Sequence, residues 1–197
     1  MKRLVGSIGF ALIALAAPVT TFAQSATPAA GQVVPAQLCQ VEPRTVESLQ
    51  AIIEEQPSDG TDVRIPVRFA PGEGTPADPA TALAVTVVMT ELAACYNAGD
   101  LLRIYGLFTD AALIPALLPE DVAEASQAAQ GTPQPITHDG YETPEVTDVR
   151  VQLDGRVTAM VDFNDEIALI TFAWNGERYL IDLFDDQIVQ GIATPTS

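Results

Sequence analysis

Between Val146 and Phe184 four largely apolar runs, Thr147–Leu153, Val157–Phe163, Ile167–Trp174 and Tyr179–Phe184, are separated by short polar breaks. The runs are rich in β-branched and aromatic side chains, which predicts strands. Asp154-Gly155 and Asn175-Gly176 separate two pairs of runs. Both dipeptides suit the positive φ angles of a two-residue hairpin turn, while Asn164-Asp165-Glu166 makes a looser break. The region therefore reads as an antiparallel meander. Upstream, apolar residues recur at the spacing of helices. Thr45 caps a helix over Val46–Gln56, with Val46, Leu49, Ile52 and Ile53 on one face. Asp78 and Pro79 open a longer one, in which Leu83, Val87, Val88, Leu92, Cys95 and Tyr96 share a face and Gly99 ends the run. Asp100 caps Leu101–Leu107, Thr109-Asp110 begins a further turn with Asp110 read as its cap, and Pro119–Ala129 is an Ala-rich helical segment. Pro57–Ala77 is an irregular connector with a short edge strand over Val63–Phe69, and Gly131–Pro144 is a loop. Helices followed by an antiparallel sheet predict an α+β domain.

The ends of the chain add an address. Lys2 and Arg3, an apolar run from Leu4 to Val19, and small residues at Thr21 and Ala23 have the form of a cleaved secretory signal over residues 1–23. Residues 24–37, rich in Ala, Thr, Pro and Gln, read as a tether, 38–188 as one domain, and 189–197 as a tail. Loss of the signal leaves seven arginines, no lysine and 26 acidic residues, so the formal charge moves from −17 to −19. Such a surface repels nucleic acid and anionic membranes and favours a cationic ligand or simple solubility. Cys39 and Cys95 are the two cysteines, an even count that suggests one disulfide in an oxidising compartment. A single histidine, His138, rules out an ordinary zinc site of Cys and His ligands.

Two short motifs carry a resemblance. Cys95-Tyr96-Asn97-Ala98-Gly99-Asp100, followed by Leu107-Phe108-Thr109-Asp110, resembles the nuclear transport factor 2-like superfamily, which includes SnoaL-like polyketide cyclases and ketosteroid isomerases. Asp154-Gly155-Arg156-Val157 and Tyr179-Leu180-Ile181-Asp182 are similar to exported bacterial members. The resemblance covers about residues 78–186. It implies helices packed on a strongly curved antiparallel sheet, a cone enclosing an apolar cavity, and dimerisation through the sheet face. It also implies where isomerase chemistry would sit, and there the residues fail. The general-base position falls on Ala116, beside Pro115, and the carbonyl-polarising tyrosine falls on Leu92. Neither transfers a proton. The paired histidines of the dehydratase branch are also missing.

The remaining candidates lie in the meander and the helices. Asp182, between Leu180 and Phe184, is the best acid/base candidate, and Asp162, next but one to Met160, is the second. The competing reading pairs Asp182 with Arg150 or Arg156. Tyr96, Tyr105 and Trp174, with Leu92 and Ala116, are the candidate pocket wall. Asp59-Gly60-Thr61-Asp62 and Asp185-Asp186 lack the spacing of a calcium loop. The expectation is a secreted, non-catalytic binding or accessory module for a small apolar or cationic ligand, without metal or cofactor. A cofactor-free cyclase, isomerase or hydrolase is the first alternative, and a dimerising interaction domain the second.

Overall fold

The computed structural model describes residues 31–56, 67–131, 134, 136, 139–163 and 166–185. The expected signal, the Asp59–Asp62 cluster, His138, Asp186, the C-terminal tail and most of the expected Val63–Phe69 strand lie outside these residues. The described end of that strand, Val67–Phe69, is not in strand conformation. The helices are α1 (Val46–Glu54), α2 (Pro79–Ala98), α3 (Leu101–Gly106), α4 (Asp110–Leu113) and α5 (Pro119–Ala128), preceded by a 3-10 turn at Ala36–Leu38. Strands β1 (Thr75–Pro76), β2 (Glu145–Val151), β3 (Val157–Phe163), β4 (Glu166–Trp174) and β5 (Tyr179–Asp185) form one antiparallel sheet in chain order. The domain is α+β, as the pattern predicts.

Local chemistry accounts for most helix ends. The Thr45 hydroxyl accepts from the Ser48 N–H, Asp78 from Ala80 and Thr81, Asp100 from Arg103, and Thr109 from Ala112. Each satisfies orphan donors in a first helical turn. Gly99 closes α2 at φ 66°, and a Cβ there would come within 1.5 Å of the Gln134 carbonyl oxygen. Glycine is therefore required by conformation and by space.

α2 packs across one face of the sheet. Val85, Val88, Met89 and Leu92 meet Val157, Ala159 and Val161 of β3, Ile170 and Phe172 of β4, and Ile181 of β5 in one buried cluster. A smaller cluster joins Leu49 and Ile52 of α1 to Leu113, Leu117, Val122 and Ala125. The face expected for α2 needs correction: Leu83 and Val87 are 58% and 46% exposed, whereas Val85 and Met89 are buried. The apolar residues of α2 run round most of its circumference, so periodicity alone does not select the face that meets the sheet.

The C-terminal end of α2 is pinned. Cys39 and Cys95 form the expected disulfide, with a sequence separation of 56. The buried Asn97 amide donates to the carbonyls of Val34 (2.8 Å) and Tyr141 (2.9 Å) and accepts from the Tyr141 N–H (2.6 Å). Val34 in turn donates its N–H to Tyr141, and Thr143 donates to Gln32. Part of the expected tether is thus built into the fold, and Val34 is buried.

Both hairpin turns differ from the two-residue expectation placed on them. Gln152 and Arg156 are hydrogen-bonded across a three-residue loop, Leu153-Asp154-Gly155, with Gly155 at φ 86°. That is a three-residue hairpin loop with its last residue left-handed. Leu153, expected in a strand, is fully exposed at the tip. In the other hairpin the Asn175 N–H donates to the Arg178 carbonyl, so the central pair is Gly176-Glu177. The Asn175 side chain accepts from the Glu177 and Arg178 N–H groups, which moves the turn one residue along.

Residues 67–74 cross the sheet face opposite α2. Arg68 pairs with Asp185 on β5 (3.4 Å), the Phe69 ring stacks on the Arg156 guanidinium (4.8 Å), and the Glu73 carbonyl accepts from Gln152 beyond β2 (3.0 Å). Five residue steps span at most about 17 Å, enough for the three strand spacings of roughly 14 Å between β5 and β2. Beneath this strap the paired Thr158 and Thr171 are buried, with Thr158 accepting from Gln152.

Candidate functional site

Asp182 stands at a bulge. Phe172 pairs with Ile181 and Thr171 with Leu183, leaving Asp182 as the extra residue on β5. The bulge interrupts the strict alternation that placed Asp182 between Leu180 and Phe184. Both carboxylate oxygens are engaged. Oδ1 accepts from the Thr109 hydroxyl (2.8 Å), and Oδ2 accepts from Arg156 Nη1 (3.1 Å). The backbone holds the donors in place, since Ile181 donates to Leu107 and Thr109 donates to Ile181. Of the two expected partners, Arg156 is the one that pairs with Asp182, while Arg150 pairs with Asp148 (2.7 Å). Arg156 also binds Asp154 (2.7 Å). Burial pulls the Arg156 guanidinium downward in pKa, but its bonds to Asp154 and Asp182 outweigh this and hold it above its ordinary value. The Arg156 bond holds the Asp154 carboxyl below its ordinary value in turn. These bonds join two hairpins and the α3–α4 turn.

Asp162 is elsewhere. It pairs in register with Ile167 of β4, whereas the Asp182 bulge lies level with Phe172 and Val157. Five residues of β3 separate the two levels, roughly 16 Å. The two carboxylates do not share a site.

The expected aromatic wall is likewise distributed. Tyr96 lies at the end of α2 against Tyr141 (4.9 Å) and Phe163 (6.1 Å), and burial raises its pKa. Tyr105 packs into the helical cluster, where burial first, and Asp121 and Glu124 next, push its hydroxyl up to about 12. Leu92 is in the core at 1% exposure, and Ala116 is exposed after α4. Asp110 does not cap its helix; Thr109 does, and Asp110 pairs with Arg44 (2.5 Å). Arg44 also donates to the carbonyls of Tyr105 and Phe108. It thereby ties the chain before α1 to the α3–α4 turn.

Trp174 differs from the other candidates. It is 54% exposed, at the end of β4, paired in register with Tyr179 and in edge contact with its ring at 5.1 Å. Opposite lie Leu83, Ala84 and Val87 of α2, and between them runs a groove of about 390 Å³. Its polar rim is Glu91, Glu177 and Arg178. Arg178 Nη2 donates to the Glu91 carboxylate, an ion pair that bridges α2 and the β4–β5 hairpin. A second recess, about 240 Å³, lies between α3 and the end of α5 beside Asp100 and Arg103. There Arg103 is committed to Asp100 and to the Val41 carbonyl.

Sequence reasoning assigned Leu83 and Val87 to the core and found only Trp174 of this groove. A signal was present: α2 is long and apolar enough, by composition, to cross a bilayer. A helix apolar on all sides, packed on one sheet, leaves an apolar face uncovered. No three His, Cys, Asp or Glu side chains among the described residues come together as a metal-binding set. The chain matches no protein-family model, and neither curated proteins nor solved structures provide a match.

Proposed function

We propose that the chain is an exported, non-catalytic binding module of the nuclear transport factor 2-like type, which holds a small apolar or cationic ligand in the groove between α2 and the β4–β5 hairpin. One observation carries this reading: Leu83, Val87 and Trp174 are each about half exposed or more around a recess of about 390 Å³. Contiguous apolar surface left in water across a ligand-sized recess marks a binding site. The Cys39–Cys95 disulfide is consistent with export. The bonds of Asp182 to Thr109 and Arg156 give that carboxylate a structural role that calls for no catalysis. The strap over Thr158 and Thr171 covers part of the sheet face that a dimer of this type would use.

Trp174 is the only tryptophan, so its emission reports on the groove directly. Titration with the neutral apolar dye N-phenyl-1-naphthylamine should show saturable energy transfer from Trp174, one dye per chain. Replacing Leu83 and Val87 together by Glu should abolish it while the far-ultraviolet circular dichroism stays unchanged. Saturable binding that survives the double substitution, or no saturable binding to the wild-type chain, would sink the groove as the ligand site.

A further inference from the structure

The groove has an asymmetric rim that points to the class of its occupant. We infer that the ligand is an amphiphilic cation, its alkyl part lying along Leu83 and Val87 and its ammonium head in the corner between Trp174 and Tyr179. The inference rests on the groove being the binding site.

The two rings stand at 65° to one another with centroids 5.1 Å apart, so they form adjoining walls rather than a stack. Trp174 keeps more than half of its surface free for a guest. Aromatic faces attract cations through their quadrupole, by about 0.5–1 kcal/mol when exposed and about 2 kcal/mol when desolvated. The charges around the corner act in the same direction. Arg178 is neutralised by Glu91, leaving Glu177, in the turn that joins the two aromatic residues, without an ion-pair partner among the described residues. The exported chain carries a formal −19, a net charge that attracts cations at long range. An anionic amphiphile would have to compete at Arg178 with the Glu91 carboxylate, which already holds one terminal nitrogen, while Nε is buried out of a ligand's reach.

Three probes with one tail separate the alternatives: octyltrimethylammonium, 1-octanol and octanoate, each displacing N-phenyl-1-naphthylamine from the full exported chain below its micelle concentration. The cation should bind about tenfold more tightly than the alcohol, with octanoate weakest. Calorimetry on Trp174→Leu should show the cation's advantage over octanol reduced to within about twofold, and Glu177→Gln should weaken the cation severalfold while leaving octanol unchanged. Equal or tighter binding of octanol or octanoate would overturn the headgroup assignment while leaving the groove intact. Failure of all three probes to displace the dye would remove the groove reading itself. A dimer in native mass spectrometry that dissociates on Leu83→Glu would name a second copy as the occupant and overturn the proposal.

Discussion

The two halves of α2 have nearly the same apolar character and opposite fates. From Val88 to Asn97 the helix is held by the sheet, by the disulfide at Cys95 and by the Asn97 amide, and its apolar side chains are almost all buried. From Pro79 to Val87 only Val85 is fully covered, and Leu83 and Val87 face the groove beside Trp174. Hydrophobic composition is common to both halves, so it does not distinguish core from binding surface. What distinguishes them is which neighbours the tertiary fold supplies. For Val88–Asn97 the neighbours come from β3, β4, the 3-10 turn and the Tyr141 loop; for Pro79–Val87 they come largely from a hairpin end that stops short of closing the gap.

The sharpest way to break this comparison is to release the pinned half. The disulfide closes a loop of separation 56, and the chain-entropy argument assigns that about 4 kcal/mol. Replacing Cys39 and Cys95 together by Ser should lower the urea unfolding free energy by about that amount, with a larger m-value because the unfolded chain loses its cross-link and exposes more surface. A loss under about 1 kcal/mol would mean that Asn97 and the core alone pin the helix end.

The same substitution made in each half sharpens the contrast. Leu92→Ala should cost about 3 kcal/mol, because the removed methyl groups leave a cavity in a core that relaxes only partly. Leu83→Ala should change stability by no more than about 0.5 kcal/mol yet weaken dye binding severalfold. Equal losses at the two positions would mean that Leu83 is a core residue after all.

The smallest effect concerns the helical cluster, which is a third environment. Tyr105 has its hydroxyl pKa raised to about 12 by burial, with Asp121 and Glu124 adding to the shift. The folded state therefore holds this proton more tightly than the unfolded chain, whose tyrosine titrates near 10. Stability is fully present below pH 10 and declines as pH rises from there towards 12. Tyr105 is only about half buried, so solvent screening reduces the effect to about 1 kcal/mol. Tyr105→Phe should be flatter than the wild-type chain between pH 9.5 and 11 in urea unfolding. Parallel curves would show that the tyrosinate is as well solvated in the folded state as in the unfolded one.

Much of the fold was legible in single residues. Thr45, Asp78-Pro79, Gly99 and Asp100 mark helix ends through chemistry local to one turn, and the structure uses each of them, whereas the cap expected of Asp110 is supplied by Thr109. Strands β2 to β5 followed from their β-branched and aromatic content and the turns between them, with ends displaced by only a few residues, whereas β1 lay in what read as a connector. The errors have a common cause in relations between segments. The turn at Gly176-Glu177 is displaced because Asn175 caps the backbone beyond it, and the bulge at Asp182 arises from the pairing of β5 with β4 and with Phe108. Candidate site residues fared less well. Asp182 was recognised, with Arg156 as one of its two possible partners, but its other partner, Thr109, lies 73 positions away and was not found.

The amino-acid order alone therefore determined most of the helix caps, the strands of the meander, the acidic surface and the availability of one cysteine pair, because these depend on neighbours within a few residues or on composition. Only the tertiary structure decided that Asp182 is held by Arg156 and Thr109, and that α2 turns Val85 and Met89 inward and leaves Leu83 and Val87 outside. A helix that is apolar all round carries no local instruction about which face to bury. That choice is made by the shape of the sheet and the position of the hairpin that meet it, and it creates the groove.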